Sequence, residues 1–202
     1  NLDLTFTTNI SYMFNGCISL KHIIINNLNE SNIKDYSYMF NDCILLDYID
    51  LSYFKRSKVI NKMEYMFNNC NNLKSIDLST FDFSLGTDFS YMFNNCTSIQ
   101  NLNLSNFRGS TVSNRIDSMF NNCNSLKILD LSNLDISNTN NPNKLFVGLY
   151  YLESLSLCNL KAYYTNDFSY FFNNLTYLKS IDLTNFNGSS INNTMEGMFY
   201  NC

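Results

Sequence analysis

The stretch Ser-Tyr-Met-Phe-Asn-Asn-Cys at residues 90–96 recurs along the whole chain and decides its fold. Six copies keep the Met-Phe pair, and two degenerate copies before the last of them keep only its apolar character. The pairs are Met13-Phe14, Met39-Phe40, Met66-Phe67, Met92-Phe93, Met119-Phe120, Leu145-Phe146, Phe171-Phe172 and Met198-Phe199. The spacing between successive copies takes only two values, which differ by a single residue. A period this regular predicts a solenoid whose rungs stack on one another.

A second pattern, Leu-x-x-Ile/Leu-x-Ile/Leu-x-x-Phe/Leu, follows each copy from Leu20 onward. Around Ile76 and Leu78 apolar and polar residues alternate, which is the period of a half-buried strand. Strands that return once in every copy can pair only in parallel and in register, one per rung. The Met-Phe segment predicts a short helical or 3-10 turn, begun by Ser, Asp, Glu or Asn two residues before the Met. The predicted fold class is an α/β repeat solenoid, a right-handed leucine-rich-repeat-like coil with one short parallel strand and one such turn per rung.

Length and charge restrict the classes of protein that fit this chain. Residues 1–202 are predicted to form a single solenoid of about eight motif copies. The first copy is shortened and the last is truncated at Cys202, so we expect a fragment of a longer chain or a processed product. The net charge is −4, so the chain lacks the excess of basic residues that is typical of nucleic-acid-binding proteins. The sequence has no apolar run long enough to span a membrane.

The cysteines follow the repeat. Six of the seven lie four residues after the motif Met, and leucine takes this place in the degenerate copies. A position that accepts Cys or Leu is a small buried apolar slot. Neighbouring rungs would hold these thiols side by side, about 4.8 Å apart, rather than pointing at one another. We therefore expect reduced, buried thiols and no metal, because no second column of ligands accompanies them. Cys158 lies outside this column and is the thiol expected to be accessible.

The combined pattern Met-Phe-x-x-Cys-x-x-Leu-x-x-Ile-Asp-Leu-Ser-x-Phe resembles the repeat of BspA-like leucine-rich-repeat surface proteins. Residues 73–81 and 90–96 are close to the family pattern, and the resemblance covers essentially the whole chain. The copies at 145–149 and 171–175 and the short first copy depart from it. The resemblance implies a cell-surface or secreted protein, often attached to the envelope, that binds host or matrix molecules or other cells. Periodicity alone does not imply this function, because a solenoid can scaffold many activities.

Two rows of side chains are candidates for binding a partner. The outward side of the strands is polar and charged, which predicts either a solvated sheet face or a shallow surface for a protein or a glycan. The candidates on this strand face are Tyr48, Asp50, Lys74, Asp77, Asn101, Asn103, Lys127 and Asp130. One of its columns, from Lys21 to Lys179, nearly alternates in sign and predicts a ladder of ion pairs. The second row is the aromatic column just before the motif Met, with candidates Tyr38, Tyr65 and Tyr91. Tyrosine suits partner surfaces, although rings that only cover the core edge would give the same pattern.

Catalytic and metal-binding constellations do not stand out. The single histidine, His22, is accompanied by no nucleophile of distinctive local context. No glycine-rich phosphate loop is present. The strand-face Asp column is interrupted by Asn103 and Ser156, and no loop supplies the six or more oxygens that calcium needs. We therefore predict no enzymatic activity, no cofactor and no metal site.

The sequence thus predicts a non-enzymatic cell-surface or secreted leucine-rich-repeat module for adhesion or protein–protein interaction with a host, the matrix or neighbouring cells. Its partner would be a protein or a glycan rather than a nucleic acid. The alternative is a structural subunit or spacer in an envelope or particle. In that case further repeats or subunits would stack on the ends, which otherwise expose apolar rungs. A third interpretation, compatible with reduced thiols, is an intracellular scaffold.

Overall fold

Seven three-residue strands recur in the part of the chain that the structure describes, one per rung, as the sequence predicts. The computed structural model describes residues 6–25, 33–52, 62–104, 106–107, 115–139, 142–188 and 194–202, so the start of the short first copy lies outside it. The strands are β1 (His22–Ile24), β2 (Tyr48–Asp50), β3 (Ser75–Asp77), β4 (Asn101–Asn103), β5 (Ile128–Asp130), β6 (Ser154–Ser156) and β7 (Ser180–Asp182). The only helix in these ranges is the 3-10 helix Pro142–Lys144. The predicted repeat solenoid is confirmed.

The strands do not form one continuous sheet. Every observed pair is parallel and in register, as Ile76 opposite Leu102 illustrates. Over the described ranges, however, the strands fall into three sheets: β1-β2, β3-β4 and β5-β6-β7. The first residues of paired strands, such as β3 and β4, are separated by the shorter of the two repeat spacings. The first residues of β2 and β3, and those of β4 and β5, are separated by the longer one. The sheet is therefore interrupted at the longer rungs.

The Met-Phe segment is a turn held by two alternating kinds of main-chain hydrogen bond. Cys43 N–H donates to the carbonyl of Phe40 three residues earlier, at 3.2 Å. Phe40 N–H instead donates to the carbonyl of Met66 in the next rung, at 2.9 Å. The same alternation recurs in other rungs. Successive N–H groups therefore donate alternately to a carbonyl within the turn and to a carbonyl of the neighbouring rung.

The residue that caps this turn lies two positions earlier than the sequence predicts. Asp88, four residues before the motif Met, accepts the N–H of Ser90 at 3.0 Å. Asn9, Asp35 and Asp167 act in the same way. These capping positions also join neighbouring rungs by parallel bridges, as between Asp88 and Arg115. The cap is thus an Asx turn. It begins at the position where single parallel bridges join one rung to the next.

The core contains one file of stacked phenylalanines. Their ring centroids are 5.3 to 6.0 Å apart and their planes lie within 6° of parallel. The rings are those of Phe14, Phe40, Phe67, Phe93 and Phe120. The last four are fully buried, and burial of such a side chain stabilises by about 1.5–3 kcal/mol. This is the internal alignment that the repeat predicts.

The buried cysteine slots hold free thiols, each with a hydrogen bond. Cys96 is fully buried, and its thiol donates to the carbonyl of Phe67 in the preceding rung, at 3.1 Å. Cys43, Cys70 and Cys123 repeat this contact. Burial raises the pKa of Cys43 and of Cys123 to about 12. The expectation of reduced, buried thiols is confirmed for these four, whereas Cys17 and Cys202 are exposed and Cys158 is half-buried.

Two asparagine ladders line the turn side of the coil. In the first, Asn94 Nδ2 donates to Asn68 Oδ1 at 2.6 Å, and in the second Asn95 Nδ2 donates to Asn69 Oδ1 at 2.7 Å. Residues of the second ladder have φ near 60°, a left-handed geometry that asparagine tolerates. At the next rung Gly148 takes this place with φ 84°, and a Cβ there would lie 2.5 Å from Asn122 N. The turn-side ladders therefore stop one rung after the sheet interruption between β4 and β5.

Candidate partner-binding surfaces

The sheet interruption between β4 and β5 is the floor of an open groove of about 900 Å³. Four predicted strand-face residues line it, namely Asn101, Asn103, Lys127 and Asp130. A smaller groove of about 210 Å³ lies at the other interruption, between β2 and β3, and is lined by Tyr48, Asp50 and Asp77. Lys74 is an exposed residue that lines neither groove. The structure thus divides the predicted face between two grooves.

Two apolar side chains in the larger groove were not among the predicted site residues. Ile128 is 68% exposed on β5, and Tyr151, which follows the degenerate motif copy, is 48% exposed. The period-2 pattern assigns Ile128 to the polar side of its strand, so an apolar residue there is a signal that could have been used. Tyr151 carried no comparable signal, because it approaches the groove from the neighbouring rung.

The charge ladder predicted for this face is observed at its C-terminal end. Lys127 Nζ lies 3.1 Å from Glu153 Oε1, and Lys179 Nζ lies 2.6 Å from Glu153 Oε2. The hydrogen bonds from Lys179 and Lys127 lower the pKa of Glu153. Lys127 therefore lines the groove with its ammonium group already paired to Glu153. At the other end of the column, Asp47 Oδ1 lies 2.7 Å from Nδ1 of His22, a residue outside the column.

The strand-face aspartates also cap tight turns, in addition to their predicted place on the binding face. Asp130 Oδ1 accepts the N–H of Ser132 at 2.9 Å and its hydroxyl at 2.6 Å. Asp50 and Asp77 accept the N–H groups of Ser52 and Ser79 in the same way, at 2.9 Å. The hydrogen bond from the Ser52 backbone, followed by that from its side chain, lowers the pKa of Asp50. The spacing Asp-x-Ser is the sequence signature of these turns.

The predicted aromatic column is a stack of parallel tyrosine rings. The centroids of Tyr12, Tyr38, Tyr65 and Tyr91 follow one another at 4.6 to 4.7 Å, with planes within 12° of parallel. All four residues have φ between 56° and 60°. Burial, followed by the charge of Glu64, raises the pKa of Tyr38. The structure therefore brings the three predicted tyrosines together, on a row separate from the grooves.

Within the described ranges, neither metal-ligand clusters nor membrane-spanning helices accompany these surfaces. No group of three or more His, Cys, Asp or Glu side chains converges there as a metal site would require. In the same ranges no helix has the length and apolar character needed to cross a membrane.

Solved structures with a similar course of the chain have low sequence identity. One is a leucine-rich cell surface protein from Faecalibacterium prausnitzii A2-165, with 18% identity, a TM-score of 0.46, and coverage of 81% of this chain and 48% of that chain. Another is TLR13 in the TLR13–ssRNA13 complex, with 19% identity, a TM-score of 0.39, and coverage of 86% of this chain and 30% of that one. The chain thus spans about half or less of the length of these proteins.

Comparison by sequence assigns the family. No curated protein matches the chain. The family described as "Mycoplasma protein of unknown function, DUF285" matches at residues 8–127 and 114–202. Because these matches span nearly the whole chain, the protein belongs to the DUF285 family and is a BspA-like leucine-rich-repeat protein.

Proposed function

We propose that the chain is a non-enzymatic recognition module of a cell-surface or secreted protein, and that it binds its partner through the groove between β4 and β5. The observation that carries this proposal is the groove itself, which combines exposed apolar side chains with amides and a fixed charge. The partner is a protein or a glycan on a host, in the matrix or on a neighbouring cell.

The chemistry of the groove favours recognition over a merely solvated face. Ile128 and Tyr151 supply the apolar and aromatic contacts that dominate binding energy at interfaces. The amide side chains of Asn101 and Asn103 both donate and accept hydrogen bonds, which suits peptide groups and sugar hydroxyls. Lys127, held by Glu153, presents a charge whose position is already restricted.

Binding of the chain to arrays of matrix proteins and glycans and to whole cells tests this proposal. We expect the double variant Ile128→Ser/Tyr151→Ala to bind at least tenfold more weakly than the parent chain. Tyr164 is 74% exposed and does not line the groove, so Tyr164→Ala serves as the matched control and should bind normally. Equal loss in both variants would refute the groove as the binding site. Self-association of the chain without any partner would instead favour the structural-subunit alternative.

A further inference from the structure

The tyrosine stack ends at a rung that keeps the backbone of the stack but lacks the ring. Ser118 occupies the position after Tyr91, and its φ of 51° is close to that of the four tyrosines. Its N–H donates to the carbonyl of Lys144 at 3.2 Å, the counterpart of the bond from Tyr91 N–H to Asp117 at 3.0 Å. The main chain at Ser118 thus has the geometry that the four tyrosines adopt, and a hydroxymethyl group stands in place of their ring.

Because Ser118 has no ring, one face of Tyr91 has no aromatic neighbour among the described residues. Among the described residues, the ring contact of Tyr91 is with Tyr65 on its other side, at 4.7 Å. Rings in this column follow one another at 4.6 to 4.7 Å, so the level of Ser118 has the height of one ring. A flat group there would repeat the stacking geometry that the chain itself uses three times.

A lysine lies in the rung beyond Ser118, where its carbonyl accepts the Ser118 N–H. Lys144 follows Ser118 in the sequence column but lies at the end of the 3-10 helix Pro142–Lys144; it is exposed, and within the described ranges it forms no ion pair. Arg115, also near this part of the column, is by contrast engaged by Asp88 at 3.0 Å. A ring at the level of Ser118 would therefore have Tyr91 on one face and an ammonium group available for the other, an arrangement that favours aromatic over aliphatic groups.

We propose that the Ser118 gap, bounded by Tyr91 and Lys144, binds an aromatic side chain of a partner protein, which completes the tyrosine stack. This site is on a different row from the groove between β4 and β5, so it stands or falls independently of the proposed function. A single ring binds weakly, with a dissociation constant on the order of 1 mM.

The test uses N-acetyltryptophanamide as the probe. The chain contains no tryptophan, so fluorescence excited at the red edge of tyrosine absorption comes from the probe alone. We expect saturable binding with a blue-shifted emission and raised anisotropy. Ser118→Tyr should weaken this binding at least tenfold, because it fills the level with the chain's own ring. Ser118→Tyr is compatible with folding, since tyrosine occupies this position in the preceding rungs.

Matched variants separate the gap from other aromatic surfaces. Ser118→Ala and the groove variant Tyr151→Ala should bind the probe as the parent chain does, whereas Tyr91→Leu should lose most of the binding. Lys144→Gln should weaken it two- to fivefold, as expected for loss of a cation–π contact. Thermal unfolding of each variant checks that the fold is intact. Absence of saturable binding, or binding that Ser118→Tyr leaves unchanged, would overturn the proposal.

Discussion

Each motif copy that keeps the Met-Phe pair places two residues in the left-handed region of backbone space, the one before the Met and the third one after it. Tyr91 has a φ of 58° and Asn95 a φ of 60°, and such a conformation costs a non-glycine residue about 1–2 kcal/mol. Both residues make contacts with the same residue type in the neighbouring rungs, by ring stacking and by amide hydrogen bonds respectively. The strain within a rung is therefore offset by contacts between rungs.

Substitution of Asn95 separates the cost of the left-handed backbone from the contribution of the ladder hydrogen bonds. Asn95→Ala should destabilise the chain by about 2–4 kcal/mol, because it removes two ladder hydrogen bonds and leaves alanine in a left-handed conformation. Asn95→Gly removes the same bonds but relieves the strain, so it should be about 1 kcal/mol more stable than Asn95→Ala. Denaturant unfolding measures both values. Equal stability of the two variants would contradict a contribution from backbone strain.

The thiols should divide into two classes in a reactivity assay. We expect Cys17, Cys158 and Cys202 to react with a disulfide reagent in the folded chain, because they are exposed or half-buried. Cys43, Cys70, Cys96 and Cys123 should react only on unfolding, since burial raises their pKa and excludes the reagent. Cys158→Ser should remove one equivalent of the fast class. Rapid modification of Cys96 in the folded chain would rule out the packing described here.

A carboxyl group beside the tyrosine stack should make stability depend on pH. Burial, followed by a hydrogen bond with Asp88, raises the pKa of Glu64 above 4.5. The folded chain therefore holds this proton more tightly than the unfolded chain, so the associated stability is present below pH 4.5 and is lost as pH rises through the raised pKa. Glu64→Gln should be more stable than the parent at pH 7, and this advantage should disappear toward pH 4. Unfolding of both chains across this range measures it, and parallel pH profiles would contradict the assignment.

At the scale of the elements, the length of a rung decides whether its strand pairs. The extra residue of the longer rung after β4 lies between Phe107 and Arg115, in a segment of which only the ends are described. Deletion of Gly109 converts this rung to the shorter length. We expect β4 and β5 then to pair as β3 and β4 do, and the groove to close.

Amide hydrogen exchange measures this change. Protection should increase in Asn101–Asn103 and in Ile128–Asp130 when Gly109 is deleted, because each strand gains a second partner, and binding through the groove should be lost. The converse control is insertion of one glycine after Asn140, which lengthens the rung between β5 and β6 and should separate that pair. If the deletion leaves exchange at β5 unchanged, rung length does not control pairing.

Sequence periodicity predicts the fold well because every rung must satisfy the same neighbours. The internal file through Phe93 and the buried slot at Cys96 follow from it directly. The groove cannot be predicted in this way. A length difference of one residue between rungs looks like ordinary loop variation, and only the structure shows that β4 and β5 are unpaired. The capping role of Asp130 is visible in its Asp-x-Ser spacing, although its outward position in the strand pattern also predicts a binding residue. The left-handed backbone at Tyr91 could not be predicted, since stacking between rungs overrides the intrinsic preference of tyrosine.

At the scale of the whole molecule, stability is a sum of rungs and their interfaces. Besides the interruption between β2 and β3, across which the asparagine ladders continue, two sites in the described residues loosen the contact between rungs: β4 and β5 are unpaired on the strand side, and the asparagine ladders end at residues 147–148 on the turn side. The rung between these two sites is bonded to its predecessor by its turn and to its successor by β5. The solenoid therefore consists of two blocks that overlap in one shared rung.

Damage to one block should remain largely within it. Phe93→Ala removes a fully buried ring from the first block and should cost about 3–5 kcal/mol there. Hydrogen exchange followed by mass spectrometry should show faster exchange across residues 62–104, with little change across 142–188. Phe172→Ala, in the second block, is the reciprocal control. Uniform acceleration over both ranges would mean that the array unfolds as a single cooperative unit.

The offset between these two sites has a mechanical consequence. Tension applied along the solenoid axis meets no plane at which the rungs separate freely. At the level of the groove the load passes through the amides of Asn94 and Asn121, and one rung later it passes through the pairing of β5 with β6. A coil joined in this way can twist or bend at the shared rung without coming apart.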